Sequence, residues 1–298
     1  MTLAALLALT VYSPLAADGA RRGLSVCAGT LAPSLFPFFV LANLLSLLGL
    51  PELLSGALGG AARRLFRVSG AGAQAFLLGV LGGYPLGAAT TAQLRRDRIV
   101  SRSEAERLLA FCNNSGPAFI LGAAGGVLGS PGAGLLLYVT HILAAVCVGL
   151  LLRKSPEAGA SEPMTVTAPS MPFTAAFGQA VSKALRSTLA VCAYVVFFSA
   201  LLGMLTPLGR LPPLLRALAY GFWELGGGIS ALRGLAPTPL TLAAAALLLG
   251  WGGVSVHCQT LAAVADTDIK CARHLAGRAL CGVFAAVFTY LGALVFFR

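Results

Sequence analysis

Several places in this chain put side chains able to hold or move a small polar species inside otherwise apolar stretches. Asn113-Asn114-Ser115-Gly116-Pro117 interrupts the uncharged run between Arg107 and Arg153. That run can cross a bilayer twice, since about 20 apolar residues suffice for one crossing, so the phrase lies at membrane depth. Asn113, Asn114 and Ser115 supply donors and acceptors, while Gly116 and Pro117 break the helix. With Pro117 as the first residue of a following half-helix, Ser115 or Gly116 would cap it, and its positive end could hold an anionic or carbonyl group. Hydrocarbon offers no water to the freed backbone, so such a break persists only where protein or a wet cavity supplies partners. The plainer alternative is a kink whose amides are satisfied internally.

Glu224 is the one carboxylate inside an apolar segment. A lone intramembrane acid is costly and points to cation or proton coupling, or to hydrogen bonding with a polar substrate. The alternative is an interfacial side chain that reaches water or pairs with Arg233. Ser255, His257 and Gln259 recur at every second residue after Gly252-Gly253. On a helix that spacing scatters them, whereas an extended stretch would aim all three into one cavity, with His257 able to carry a proton. If the stretch is helical, they bond neighbouring helices instead. Tyr84, before Pro85, either lines the same site or forms a turn. These residues, Tyr84, Asn113, Asn114, Ser115, Glu224, Ser255, His257 and Gln259, are the candidate substrate-binding set. His141 reads as bonding a neighbour and His274 as lying at the membrane edge. No motif of a hydrolase, nucleotide-binding loop or metal cluster is present, so no cofactor and no enzymatic activity are expected. The seven Cys lack a C-x-x-C pair and read as small buried apolar residues.

The elements that must position these residues follow from composition. Of 298 residues, 57% are hydrophobic and 10% charged, with a mean hydropathy of +0.86. Soluble domains carry about 25% charged residues, so this is a polytopic all-α membrane protein whose first partner is the lipid bilayer. The net charge of +11 falls between apolar runs, with no soluble basic face, which argues against nucleic acid and for topology bias. Placing most Lys and Arg in the cytoplasm puts Arg63, Arg64 and Arg67 on one side with the cluster Arg95 to Arg107, with Arg153 and Lys154, with Lys183 and Arg186, and with Lys270, Arg273 and Arg278. Arg21, Arg22, Arg210, Arg216, Arg233 and Arg298 then lie outside. The stretch from Val68 to Leu94 must leave by the face it entered, as a re-entrant hairpin turning within Gly79 to Gly87. Leu214 to Leu235 repeats this from the other side, turning near Gly226-Gly227-Gly228. An outer turn is expected at Gly129-Ser130-Pro131-Gly132.

The halves thus share an order of parts, with the second upside down: a Phe-rich span, a Gly-rich hairpin, a span broken by polar residues and a closing span. Two inverted repeats with re-entrant hairpins and broken transmembrane helices are the pattern of secondary transporters. The divisions expected are 1–22, an N-terminal membrane helix retained rather than cleaved; 23–152, the first repeat; 153–182, a linker; and 183–298, the second repeat.

Gly83-Tyr84-Pro85-Leu86-Gly87-Ala88, the segment Ser103 to Pro117, Ser255-Val256-His257-Cys258-Gln259 and Asp266-Thr267-Asp268-Ile269-Lys270 resemble the YlbJ-type sporulation integral membrane proteins of endospore-forming Firmicutes. More remotely the chain is similar to the nucleoside-recognition, or Gate, domain found in ferrous-iron and concentrative nucleoside transporters. The resemblance covers the chain from about Leu31 onward. It implies a multi-pass cell-membrane protein linked to spore formation, with no reaction assigned. Together these readings point to a transporter-like protein that moves a small polar solute or ion through a mid-membrane site. The runner-up is a non-transporting scaffold for spore-envelope assembly, partnered by its own copies or by other spore-envelope membrane proteins.

Overall fold

The structure, a computed structural model, describes residues 2–49, 59–153 and 171–297; these are helices and connecting turns, with no strand among them. Helix α1 (Thr2–Val11) leads into α2 (Ser13–Leu47), which widens by a turn at Cys27–Leu31 just ahead of Pro33 and Pro37, whose missing N–H groups interrupt regular bonding. Then come α3 (Gly59–Phe66) and α4 (Gly70–Gly82), which meet at 93°, followed by α5 (Leu86–Arg96), α6 (Arg102–Cys112), α7 (Ala118–Val127) and α8 (Pro131–Leu151). The second half has α9 (Phe173–Gly203), α10 (Pro213–Trp223), α11 (Leu225–Ser230), α12 (Pro239–Trp251), α13 (Gly253–Val264) and α14 (Ala272–Phe296).

Helix starts follow from local chemistry. Ser69, Ser101, Ser130 and Thr238 each accept the N–H of the residue three positions on, at 3.1 to 3.2 Å, and Pro131 and Pro239 follow two of these caps directly. Ser101 and Glu104 have capping-box spacing, yet Glu104 Oε1 instead accepts the N–H of Ser69 at 2.6 Å. One helix start is thereby tied to another.

Five helices are long and apolar enough to cross a membrane, Ser13–Leu47, Pro131–Leu151, Phe173–Gly203, Pro239–Val264 and Ala272–Phe296, or six if the bent α3–α4 pair is one span. Their outward faces are apolar. On α14, Leu280, Val283, Val287, Leu291 and Leu294 are exposed at spacings of three and four. Such a stripe suits acyl chains rather than water. The chain is therefore an all-α, multi-pass membrane protein. Inside, α2 packs along α9, and α14 packs against α12 and α8.

Each half runs in the same order: long helix, hairpin, broken helix, closing helix. The hairpin α4–α5 turns at Gly83-Tyr84-Pro85, within the expected window, and the break at Asn113–Gly116 separates α6 from α7. Gly129, at φ +64, and the cap Ser130 form the turn ahead of α8.

Other expectations are corrected. The boundary at residue 22 falls inside the continuous α2, whose small residues Gly19 and Gly23 lie against Ser199 of α9. Residues 173–182, expected as linker, form the first turns of α9; residues 154–170 lie outside the described residues, as does Glu52. The second hairpin turns at Glu224, in extended conformation at φ −140 and ψ 113, and Gly226 to Gly228 sit within α11. Most consequentially, Ser255 to Gln259 are helical: the chain breaks earlier, at Gly252 and Gly253, with φ +90 and +82. Glycine takes up the left-handed conformation there, so the following residues can start a regular helix.

Candidate functional site

The backbone carbonyl of Leu249 is the centre of the buried polar network. The break at Gly252-Gly253 leaves it without a helical partner, and three side chains supply one: Tyr84 Oη at 3.4 Å, Ser115 Oγ at 3.4 Å and Arg278 Nη2 at 3.3 Å. They come from the tip of the first hairpin, the Asn113–Gly116 break and α14. A freed carbonyl at membrane depth thus gathers the two breaks and a hairpin tip into one place, the internal satisfaction that lipid demands.

Arg278 extends the network. It is fully buried; Nη1 donates to Asn114 Oδ1 at 3.0 Å, Nη2 donates to Tyr84 Oη at 2.8 Å, and the guanidinium lies 5.6 Å from the Tyr84 ring centroid. No carboxylate pairs with it among the described residues. The expectation that Arg278 belongs to a cytoplasmic charge cluster is therefore overturned. It lies more than a turn inside α14, on the same face as His274, Cys281, Ala285 and Thr289, all buried. That i, i+4 spacing of small and polar residues, opposite the apolar stripe, was a legible signal. Grouping Arg278 with Lys270 and Arg273 by chain proximity hid it.

His274 is also buried, not at an edge. Its Nδ1 lies 3.0 Å from the carbonyl of Leu109 and its Nε2 3.0 Å from His257 Nδ1. A carbonyl only accepts, so in the neutral pair Nδ1 of His274 carries the proton and its Nε2 accepts; His257 then donates through Nδ1 and its Nε2 is bare. Asn113 Nδ2 donates to Thr260 Oγ1 at 2.7 Å, and Asn114 Nδ2 donates to the carbonyl of Phe111 at 2.8 Å. As expected, His141 bonds a neighbour, its Nε2 accepting the N–H of Ser115 at 3.2 Å.

Close backbone approach holds this assembly together. The carbonyl of Cys112, the last residue of α6, is wedged between Gly79 and Gly87 of the two hairpin arms. Gly83, at φ +75, lies so near Gly116 that a Cβ on it would be 2.5 Å from the Gly116 nitrogen.

Tyr84 faces a small cavity of about 40 Å³ that Gly82, Gly83, Glu224, Leu225, Ser255 and Gln259 also line, so both hairpin tips meet there. Volume for a few waters is available. Ser255 and Gln259 share a face of α13 at i, i+4, whereas His257 turns to His274; the helix splits a trio that an extended chain would have kept together. Glu224 is buried and neither reaches the surface nor pairs with Arg233. Its Oε1 and Oε2 accept the N–H groups of Gly226 at 2.7 Å and Gly227 at 2.5 Å, capping α11.

Two larger cavities flank this one. One, of about 590 Å³, is lined by Arg22, Ser199, Thr206, Arg216 and Tyr220, with Glu224 on its wall. The other, of about 760 Å³, is lined by Asn43, Gln74, Gln93, Asp97, Lys183 and Arg186. The helices α2 and α9 line all three in order: Val26, Leu31 and Leu35, then Asn43 on one; Ser199, Val195 and Val191, then Lys183 on the other. The base of the first hairpin lies at one end and the base of the second at the opposite end.

No protein-family model matches the chain, and no solved structure matches it. It is 31% identical to the sporulation integral membrane protein YlbJ of Bacillus subtilis (strain 168), over 92% of this chain and 76% of that protein. With its membrane-crossing helices and this extent of identity, the chain belongs to the YlbJ-type family of sporulation integral membrane proteins.

Proposed function

We propose that this protein is a transporter of the cell membrane, connected with sporulation, that moves a small polar solute or ion through the cavity where the hairpin tips meet. The observation that carries the reading is the file of three cavities along the α2–α9 groove, constricted in the middle by Tyr84, Glu224, Ser255 and Gln259. A wide space with polar and charged residues on its wall lies on each side of a narrow waist whose wall also carries Leu31, Leu35, Phe119, Val191 and Val195, and a solute would reach mid-membrane from either face through these spaces. Paired hairpins approaching from opposite ends, each beside a broken helix, provide two parts able to rock against each other around a fixed site. The Gate-domain resemblance of the sequence points the same way. No covalent chemistry is part of this reading.

The test is flux into sealed vesicles containing the purified protein, screened against nucleosides, amino acids, carboxylates and metal ions. Glu224→Gln and Asn114→Ala are each expected to abolish movement of whichever solute the parent carries while leaving membrane insertion intact. Parental flux in both variants removes the site assignment. A parent that moves none of the solutes, while loop changes disrupt recruitment of spore-envelope proteins, would favour a scaffold.

A further inference from the structure

Two helices present the same apolar spacing to the middle cavity: Leu31 and Leu35 on α2, and Val191 and Val195 on α9, each pair four residues apart and so on one face of its helix. Phe119 of α7 joins them, and all five are buried. The polar groups on the same wall are largely engaged within the protein. Glu224 accepts the N–H groups of Gly226 and Gly227, and Tyr84 Oη meets Arg278 and the Leu249 carbonyl. Ser255 Oγ is buried without a partner, but it is one group, and a held water needs two to four. The space of about 40 Å³, between cavities of about 590 and 760 Å³, therefore has room for water yet offers it little to bond. A narrow apolar stretch between wide wet ones dewets, and a dry stretch blocks polar solutes.

We infer that this waist is a hydrophobic gate, shut by Leu31, Leu35, Phe119, Val191 and Val195, which opens when two widely wound helix segments beside it rewind. The inference rests on the transport reading, whose path the gate closes. The segments are Cys27–Leu31 of α2 and Ala118–Ala124 of α7, both wound as π-helix. Leu31 ends the first and Phe119 lies within the second, so gate side chains stand on the irregular turns themselves. Such turns are rare and are frequent at functional sites. If the extra residue of a wide turn is taken up into regular α-winding, the chain beyond it turns by about 100°, which carries Leu31 and Leu35 off the path. The segment on α7 lies against the turn of α2 that follows the other: a Cβ on Gly122 would be 3.4 Å from Ser34 Oγ. The two segments thus move as neighbours, while Val191 and Val195 stay on the regular helix α9 as the fixed wall.

Efflux of trapped erythritol from vesicles containing the purified full chain tests the gate, with protein-free vesicles as the baseline. The parent should hold the solute. Leu35→Asn, which keeps the side-chain size and adds an amide, should speed efflux by about tenfold or more. Val195→Thr, which keeps the shape of Val and adds a hydroxyl, should speed it less, and Leu35→Ile, which changes shape without polarity, should leave it at the parental rate. Gel filtration checks each protein, and Val195→Thr decides the matter if Leu35→Asn does not assemble. Parental efflux in Val195→Thr and in an intact Leu35→Asn overturns the inference. So does a parent that fails to hold the solute, or Leu35→Ile leaking as fast as Leu35→Asn, which would mark loose packing rather than wetting. Leak in the variants of a parent that carries no solute keeps the gate and removes the transporter. Solute flux by the parent, with no leak in the variants, does the reverse.

Discussion

Arg278 does at the residue scale what backbone hydrogen bonds do elsewhere. It supplies donors to Leu249 O, Asn114 Oδ1 and Tyr84 Oη, each displaced from regular helical bonding or projecting from a break. Replacing it with Met removes the cost of a buried charge but strips Asn114 Oδ1 of its donor, and such an orphaned group costs roughly 1–3 kcal/mol. Lys retains the charge without the planar fork that spans Asn114 and Tyr84. Both Arg278→Met and Arg278→Lys are therefore expected to lower the thermal unfolding midpoint in detergent. A higher midpoint for Arg278→Met would show instead that the cation is kept against stability for some other use. Chain position alone put Arg278 in a cytoplasmic cluster with Lys270 and Arg273; the period of its neighbours on α14 put it inside, and that period carried the better information.

At the scale of elements, the connection between α13 and α14 is bound to the first hairpin and to α6. Arg95 reaches Asp268 through two bonds of 2.8 Å, Arg96 reaches Asp266 at 2.9 Å, and the N–H of Lys270 donates to Glu106 at 3.3 Å. The hydrogen bonds from Arg95 and Arg96 hold both aspartates below the ordinary carboxylate range. A depressed value in the folded state means the ties are fully present above the unfolded value of about 3.9 and are lost as the pH falls through the folded one. The protection of residues 265–271 against hydrogen exchange, measured relative to the unfolded chain at each pH, should stay constant from neutral pH down to about pH 4 and fall below it. Asp268→Asn should raise exchange at neutral pH and flatten that profile. Protection that ignores both acid and the substitution would mean the loop is held by packing alone. The aspartates stand in the segment whose likeness to sporulation membrane proteins is visible in the sequence, but their partners are far away along the chain and no local pattern names them.

For the whole molecule, the two large cavities sort the charges by end. Arg22 and Arg216 line one with the Thr206–Arg210 turn, and Lys183, Arg186 and Asp97 line the other. The charge bias assigns the second end to the cytoplasm. In a background with its seven cysteines replaced, single cysteines at Gln93 and at Arg216 should react with a membrane-impermeant thiol reagent from opposite faces of oriented vesicles. Labelling of both from one face would dissolve the idea of hairpins entering from opposite sides, and with it a path through the protein.

The sequence by itself determined that the chain is an all-helical membrane protein, where its first hairpin turns, that Asn113 to Pro117 breaks a helix, and that Glu224 stands alone as a carboxylate in an apolar segment. These follow from composition, from glycine and proline chemistry and from the absence of water in lipid, all of which act locally along the chain. Only the tertiary structure decided what each polar group meets. Ser255 and Gln259 face the cavity while His257 turns to His274, because two left-handed glycines complete the break before the helix begins. Arg278 became the centre of a network because the carbonyl it serves, Leu249 O, is freed by a break in another helix. Such pairings join residues far apart in sequence, and the need to satisfy backbone groups away from water fixes them only once the helices have packed.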